Sequence, residues 1–166
     1  SMSGAMGWKL AEQNRAAIEK LVAVAPGPPG NIQPEATVIE ETDDEVVVES
    51  FGMQRRLTRD RVYMGGMEFA SHKLIGKSTR FPEAELDAYA GHLAGVPPRL
   101  LYERQNVGGS QLKIDNPRVF EALPVMVFTG EFDTDHPKDI DRAIVEWLRD
   151  AGASVDFYWL PDHGIP

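Results

Sequence analysis

One stretch constrains the fold more than any other. Val125-Met126-Val127-Phe128 is a continuous apolar run bounded by Pro124 and Gly130, and it reads as a buried strand. A helix follows, with Pro137 near its start and Ile140, Ala143, Ile144, Trp147 and Leu148 on one face. Gly152 sits where a residue just past a helix end belongs, and 154–160 is a further strand. Strand, helix, strand with apolar strands means a parallel sheet, and such sheets are ordinarily covered on both faces.

Upstream, 8–18 is rich in helix formers, and Leu21-Val22-Ala23-Val24-Ala25, stopped by Pro26, reads as another buried strand. Pro26-Gly27-Pro28-Pro29-Gly30-Asn31 lacks several amide donors and cannot be regular structure. The runs 37–41 and 45–51 suggest a hairpin around Thr42-Asp43-Asp44, while 52–76 is weakly patterned. Phe81-Pro82 opens a predicted helix with Leu86, Tyr89, Ala90 and Leu93 on one stripe. Pro97-Pro98 starts a short one through Arg104, broken by Gly108-Gly109. The expected organisation is a core of 1–27 and 117–166 interrupted by a mixed insertion over 28–116. Three strands are few for such a sheet, and both ends read as cut, so a segment of a larger protein is expected. An expression scar at Ser1-Met2 is the alternative.

Composition narrows the function. Seventeen Lys+Arg against 26 Asp+Glu give a formal charge of −9, which repels phosphate backbones and anionic lipid heads. The densest basic stretch, Arg55, Arg56, Arg59 and Arg61, is short and has acidic neighbours. Neither nucleic acid nor membrane is therefore an expected partner. No apolar run approaches the roughly 20 residues of a membrane span. The absence of cysteine excludes disulfides, thiolate metal sites and cysteine nucleophiles. With no leader, span or cysteine, the default compartment is the cytoplasm.

In an open parallel sheet, functional groups gather beyond the carboxyl ends of strands, and three loops qualify. Ser1-Met2-Ser3-Gly4-Ala5 leads straight into a helix. A nucleophilic serine needs a sharp strand-to-helix turn flanked by small residues. Either Ser1 or Ser3 fits that need, and a plain helix cap fits as well. In Gly130-Glu131-Phe132-Asp133-Thr134-Asp135-His136, Asp133 follows the strand by three residues and could orient an imidazolium. Glu131 and Asp135 compete for that role. Asp133, Asp135, Asp139 and Asp141 also form an oxygen-rich set. However, 139 and 141 are two apart on a helix, and no calcium-type loop is present. The third loop, Asp162-His163-Gly164-Ile165-Pro166, offers His163 as a candidate base. His72, His92 and His136 lack metal-ligand spacing. The glycines form no phosphate loop.

These residues resemble the α/β-hydrolase superfamily. Ser1-Met2-Ser3-Gly4-Ala5-Met6-Gly7-Trp8 is similar to the second half of a Gly-His-Ser-x-Ser-Gly nucleophile elbow. Gly130-Glu131-Phe132-Asp133 resembles the Gly-x-x-Asp acid loop. Trp159-Leu160-Pro161-Asp162-His163-Gly164-Ile165 resembles the approach to a Gly-Asn-Gly-His segment in an esterase-like branch. The resemblance implies part of a doubly wound α/β sheet with a cap over 28–116. It implies a serine esterase or related acyl hydrolase that needs no cofactor or metal and takes a small ester substrate. Ser1 would be the nucleophile, Met2 the source of an oxyanion amide, and Asp133 the acid. The catalytic histidine would lie downstream, with His163 as its neighbour. Phe81, Tyr89, Leu93 and Tyr102 would wall the substrate site. Two departures stand beside this. Val24-Ala25-Pro26 carries no acid where some relatives have one, and the earlier oxyanion-hole strand is absent from these residues. A non-catalytic binding module of the same fold is the rival expectation.

Overall fold

The computed structural model describes residues 3–134 and 138–164. Three strands, β1 (Leu21–Val24), β5 (Pro124–Gly130) and β6 (Ser154–Leu160), form a parallel sheet in the order β1-β5-β6. Between β1 and β5 the chain forms an antiparallel sheet from β2 (Thr37–Glu41), β3 (Glu45–Ser50) and β4 (Met53–Thr58). Helices are α1 (Ser3–Gln13), the short α2 (Met67–Phe69), α3 (Leu86–Gly91), α4 (Pro98–Arg104) and α5 (Lys138–Asp150). The protein is mixed α/β, with one parallel and one antiparallel sheet.

Alternation across the parallel sheet explains the main core. Ala23, Val125 and Val127 project to one side, and the two valines are completely covered. α1 contributes Trp8 and Ala11 to this side, and α5 contributes Ile140, Ile144, Val145 and Leu148. Phe120 sits between them, edge-on to Trp8 at 6.3 Å and to Trp147 at 5.5 Å. The Trp8 indole nitrogen donates to the Gly27 carbonyl at 3.0 Å, so burying it strands no polar group.

The opposite face corrects an expectation. Val22 and Val24 of β1 are 59% and 44% exposed, and Phe128 stacks on the exposed Tyr158 with ring centroids 4.8 Å apart. β1 is an edge strand with one buried side, and among the described residues no helix covers its other side. The reason is that α1 and α5 both pack on the Val125/Val127 side. A run of apolar residues reports that a strand can be buried, but not which elements do the burying.

The antiparallel sheet has its own small core of Ala36, Val46, Val48 and Leu57, closed by Leu101, Tyr102 and Val107. Its outer face absorbs the basic stretch: Arg56 and Arg61 pair with Glu45, and Arg59 pairs with Glu41. The predicted helix from Phe81 is instead a 3₁₀ turn (Glu83–Glu85) followed by the six-residue α3. The weakly patterned 52–76 contains β4, α2 and a π-helical turn, Ala70–Ile75.

A buried amide network joins this insertion to the loop after β1. Asn106, 3% exposed, donates through Nδ2 to the Gln33 carbonyl at 2.7 Å and accepts from the Gln111 amide at 3.0 Å. Gln111 donates in turn to the Pro28 carbonyl at 2.9 Å, and Gln33 to that of Arg104 at 2.7 Å. Asn106 also has a φ of 54°, a left-handed conformation that asparagine tolerates better than alanine. Asn106→Ala is expected to cost about 2–3 kcal/mol from the lost hydrogen bonds and the backbone strain together. Asn106→Gly should recover about 1 kcal/mol of it, the backbone part. Urea unfolding of the three proteins separates these contributions.

Candidate active site

The carboxyl end of the parallel sheet is where the first turns of α1 and α5 and the loops after β1, β5 and β6 come together. α1 is seated there by Gly4. A β-carbon at Gly4 would overlap the amide nitrogen of Gly27, just past β1, so no other residue lets the helix approach so closely. Ser1 and Met2, the expected nucleophile and oxyanion residues, lie outside the described residues, as does Asp135. Ser3 opens α1.

The loop 130–133 is held from both sides. The amides of Glu131 and Phe132 donate to the carbonyls of Leu160 (3.0 Å) and His163 (2.7 Å), and that of Asp133 turns back to Gly130 (3.3 Å). Gly130 packs so closely on the 162–164 loop that a β-carbon there would coincide with the carbonyl oxygen of Gly164. Both partners are backbone, so no rotamer change can relieve the overlap. Gly130→Ala is therefore expected to cost about 3 kcal/mol by forcing the two loops apart, read as a lowered midpoint in thermal unfolding.

The acidic candidates separate cleanly. Glu131 spends a carboxylate oxygen on the amide of Asp162 at 3.0 Å and braces the loop. Asp162 accepts from the amide and hydroxyl of Thr79, at 2.8 and 2.5 Å, which ties the insertion to the end of β6. Those hydrogen bonds from Thr79, helped by Arg80, hold the Asp162 carboxyl below its ordinary range. His163 holds its Nδ1 2.8 Å from the carbonyl oxygen of Pro161, so that ring edge is engaged within its own loop. Asp133, in contrast, is only 8% exposed at the head of the central strand.

Two further polar residues of β5 and α5 are fully enclosed. Thr129, the penultimate residue of β5, and Asp141, in the first turn of α5, are both completely buried. Neither Asp141 oxygen nor the Thr129 hydroxyl makes an aligned hydrogen bond. Burial, reinforced by the negative charge of Asp133, pushes the Asp141 carboxyl up to about 7. The nearby Thr129 hydroxyl pulls weakly the other way. Asp141 belongs to the acidic set of the sequence, and its spacing carries a signal of burial. Asp141, Ile144, Val145 and Leu148 fall at i, i+3, i+4 and i+7, so the acid lies on a core-facing stripe. Asp139 lies on another side of the helix and is exposed. Among the described residues, no three His, Asp or Glu side chains converge as metal ligands.

Beside the first turn of α1 opens a shallow cleft of about 70 Å³. Ala5, Met6, Gly27 and Ile140 form its floor, and Phe51, Met53, Arg55 and Leu100 of the insertion form its wall. The expected wall residues Phe81, Tyr89, Leu93 and Tyr102 do not line it. Phe81 and Tyr89 pack on each other, with centroids 5.3 Å apart, and Tyr102 packs on the antiparallel core.

Compared with known protein families, curated proteins and solved structures, the chain matches none. Among the described residues, no helix is long and apolar enough to cross a membrane.

Proposed function

We propose that the chain is the catalytic part of a serine hydrolase acting on carboxylic esters or related acyl compounds. Its parallel sheet would belong to a doubly wound α/β-hydrolase sheet, and 28–116 would form the cap. The observation that carries this reading is the placement of Asp133. A buried carboxylate heads the central strand at the same end of the sheet as the first turn of α1 and the cleft beside it. That is where a nucleophile on the lead into α1 and an acid after β5 need to meet.

In this mechanism the Ser1 hydroxyl oxygen attacks the substrate carbonyl carbon while a histidine accepts its proton. The amide of Met2 donates to the resulting oxyanion. The alcohol leaves with that proton, and water then releases the acyl group by the same route. Asp133 holds the histidine in the correct tautomer and balances its positive charge. The Nδ1 of His163 is turned to Pro161, so His163 could serve as the base only if its loop released that edge to Asp133. The insertion's wall over the cleft would select the acyl or alcohol portion.

The test is to treat the full-length protein with a fluorophosphonate probe. Labelling is expected and should vanish in Ser1→Ala. Labelling that survives there but vanishes in Ser3→Ala moves the nucleophile by two residues. If the folded protein takes no label, the hydrolase reading is rejected in favour of a binding module.

A further inference from the structure

We infer that the open groove between α5 and β6 binds a small aryl phosphate, a single aromatic ring carrying a phosphate monoester. Its walls are Lys138 and Arg142 of α5 and Phe157 and Trp159 of β6. None of these four takes part in the hydrolase reading, and the inference does not depend on it.

The groove follows from how α5 lies along the edge of the parallel sheet. Lys138 and Arg142 are four residues apart, so they leave the helix as neighbours, with β-carbons about 6 Å apart. Both are exposed. Phe157 and Trp159 are two apart on β6 and so lie on one face of the sheet. Their partners across the ladder are Val127 and Thr129, both buried, which makes this the face toward α5. Among the described residues β6 pairs only with β5, and the groove at this edge has a volume of about 250 Å³.

One wall is therefore cationic and the other aromatic. The cations stand out in a chain of net charge −9. Arg56, Arg59, Arg61 and Arg99 are each paired with an acid. Among the described residues Lys138 and Arg142 have no such pair, although Asp139 and Glu146 stand at helical spacing from Arg142. Like charges at i and i+4, the first of them in the opening turn, cost α5 stability through mutual repulsion and the helix dipole. A dianion between them offsets both costs. A phosphate monoester carries nearly two negative charges at neutral pH and can accept from an ammonium and a guanidinium at once. The Lys138 ammonium rests over the Trp159 ring, 4.4 Å from its centroid, an attraction weaker at an exposed site than a hydrogen bond to an anion. On binding, that ammonium moves to a phosphate oxygen and frees the indole face, on which the ring of the ligand stacks. The volume admits one ring with its phosphate and lies below that of sites for drug-sized molecules. The overall acidity repels a polyanion.

The test is an NMR titration of the full-length protein with phenyl phosphate, read at the tryptophan indole N–H signals. The Trp159 signal, assigned by its loss in Trp159→Phe, should move saturably with a Kd of about 1 mM or below. The Trp8 signal should stay in place, since that indole is buried against the Gly27 carbonyl. Arg142→Gln and Lys138→Gln change exposed positions, so the fold survives them. Each should weaken binding at least about tenfold through the loss of one charge-assisted hydrogen bond. Phenol and inorganic phosphate each offer one half of the ligand and should bind at least about tenfold more weakly than phenyl phosphate. A Trp159 signal that does not move at about 10 mM phenyl phosphate overturns the inference, as does a titration that both substitutions leave unchanged. Inorganic phosphate binding as tightly as phenyl phosphate overturns the aryl part, and phenol doing so overturns the phosphate part. A tyrosine-phosphorylated peptide bound at least about tenfold more tightly overturns the small-molecule class, because the groove is then reading a peptide. Since the readout is binding, the inference stands or falls whether or not the protein takes the fluorophosphonate label.

Discussion

Asp133→Asn is expected to slow acyl-enzyme formation in the full-length protein by about 10⁴-fold while leaving the fold in place. The size follows from what the carboxylate does for a catalytic histidine. It accepts the ring N–H, which fixes the tautomer that can deprotonate serine, and it offsets the positive charge that then appears. An amide can present an N–H at that point and hold the ring in the wrong tautomer. A 10⁴-fold loss corresponds to roughly 5.4 kcal/mol of transition-state stabilisation. The substitution conserves shape, and the Asp133 amide keeps its turn to Gly130, so the melting temperature should change little. Single-turnover labelling rates together with circular dichroism check both halves. Glu131→Gln is the matched control, because Glu131 braces Asp162 and its loss should affect the loop more than the rate. A loss below tenfold in a folded Asp133→Asn protein would falsify the assignment of the acid.

How far the fold could be read in advance depended on whether each residue's role was local. β5, α5 and β6 were legible because a four-residue apolar run, a stripe at helical spacing and Gly152 (φ of 87°) are properties of the segment itself. The hairpin β2–β3 was legible for the same reason, with Thr42 closing the turn onto Glu45. β4 was not, since Met-Gln-Arg-Arg-Leu-Thr hardly alternates in polarity. Arg56 is tolerated there because Glu45, diagonally across on β3, pairs with it, and that pairing is not local. The helix expected from Phe81 is shortened to α3, which ends at Gly91 and lies against α2 and the π-helical turn. At the site, Asp133 was legible from its distance beyond β5. Asp141 was passed over because an acid in a first helical turn usually complements the helix dipole at the surface. Only the packing of α5 on β5 buries it.

That burial gives the second large effect, a pH-dependent stability that runs opposite to most carboxylates. The Asp141 carboxyl titrates near 3.8 when unfolded and about 7 when folded. Between those values the folded protein keeps a proton that the unfolded chain has released. Unfolding free energy therefore falls as pH rises through this window, and the full penalty is present above about 7. The gap corresponds to roughly 4 kcal/mol, an upper figure because local opening would let water reach the group. Asp141→Asn removes the titration. It should match the wild type within about 1 kcal/mol at pH 4 and exceed it by about 2–4 kcal/mol at pH 8.5, measured by urea unfolding. Asp133→Asn should move the wild-type transition to lower pH without abolishing it. It removes the neighbouring negative charge but leaves burial, the larger cause, in place. If the advantage of Asp141→Asn is the same at both pH values, its origin is packing alone, and Asp141 does not hold the extra proton. If Asp133→Asn leaves the transition where it was, the two carboxyls do not sense each other. In that case burial alone raises the Asp141 carboxyl.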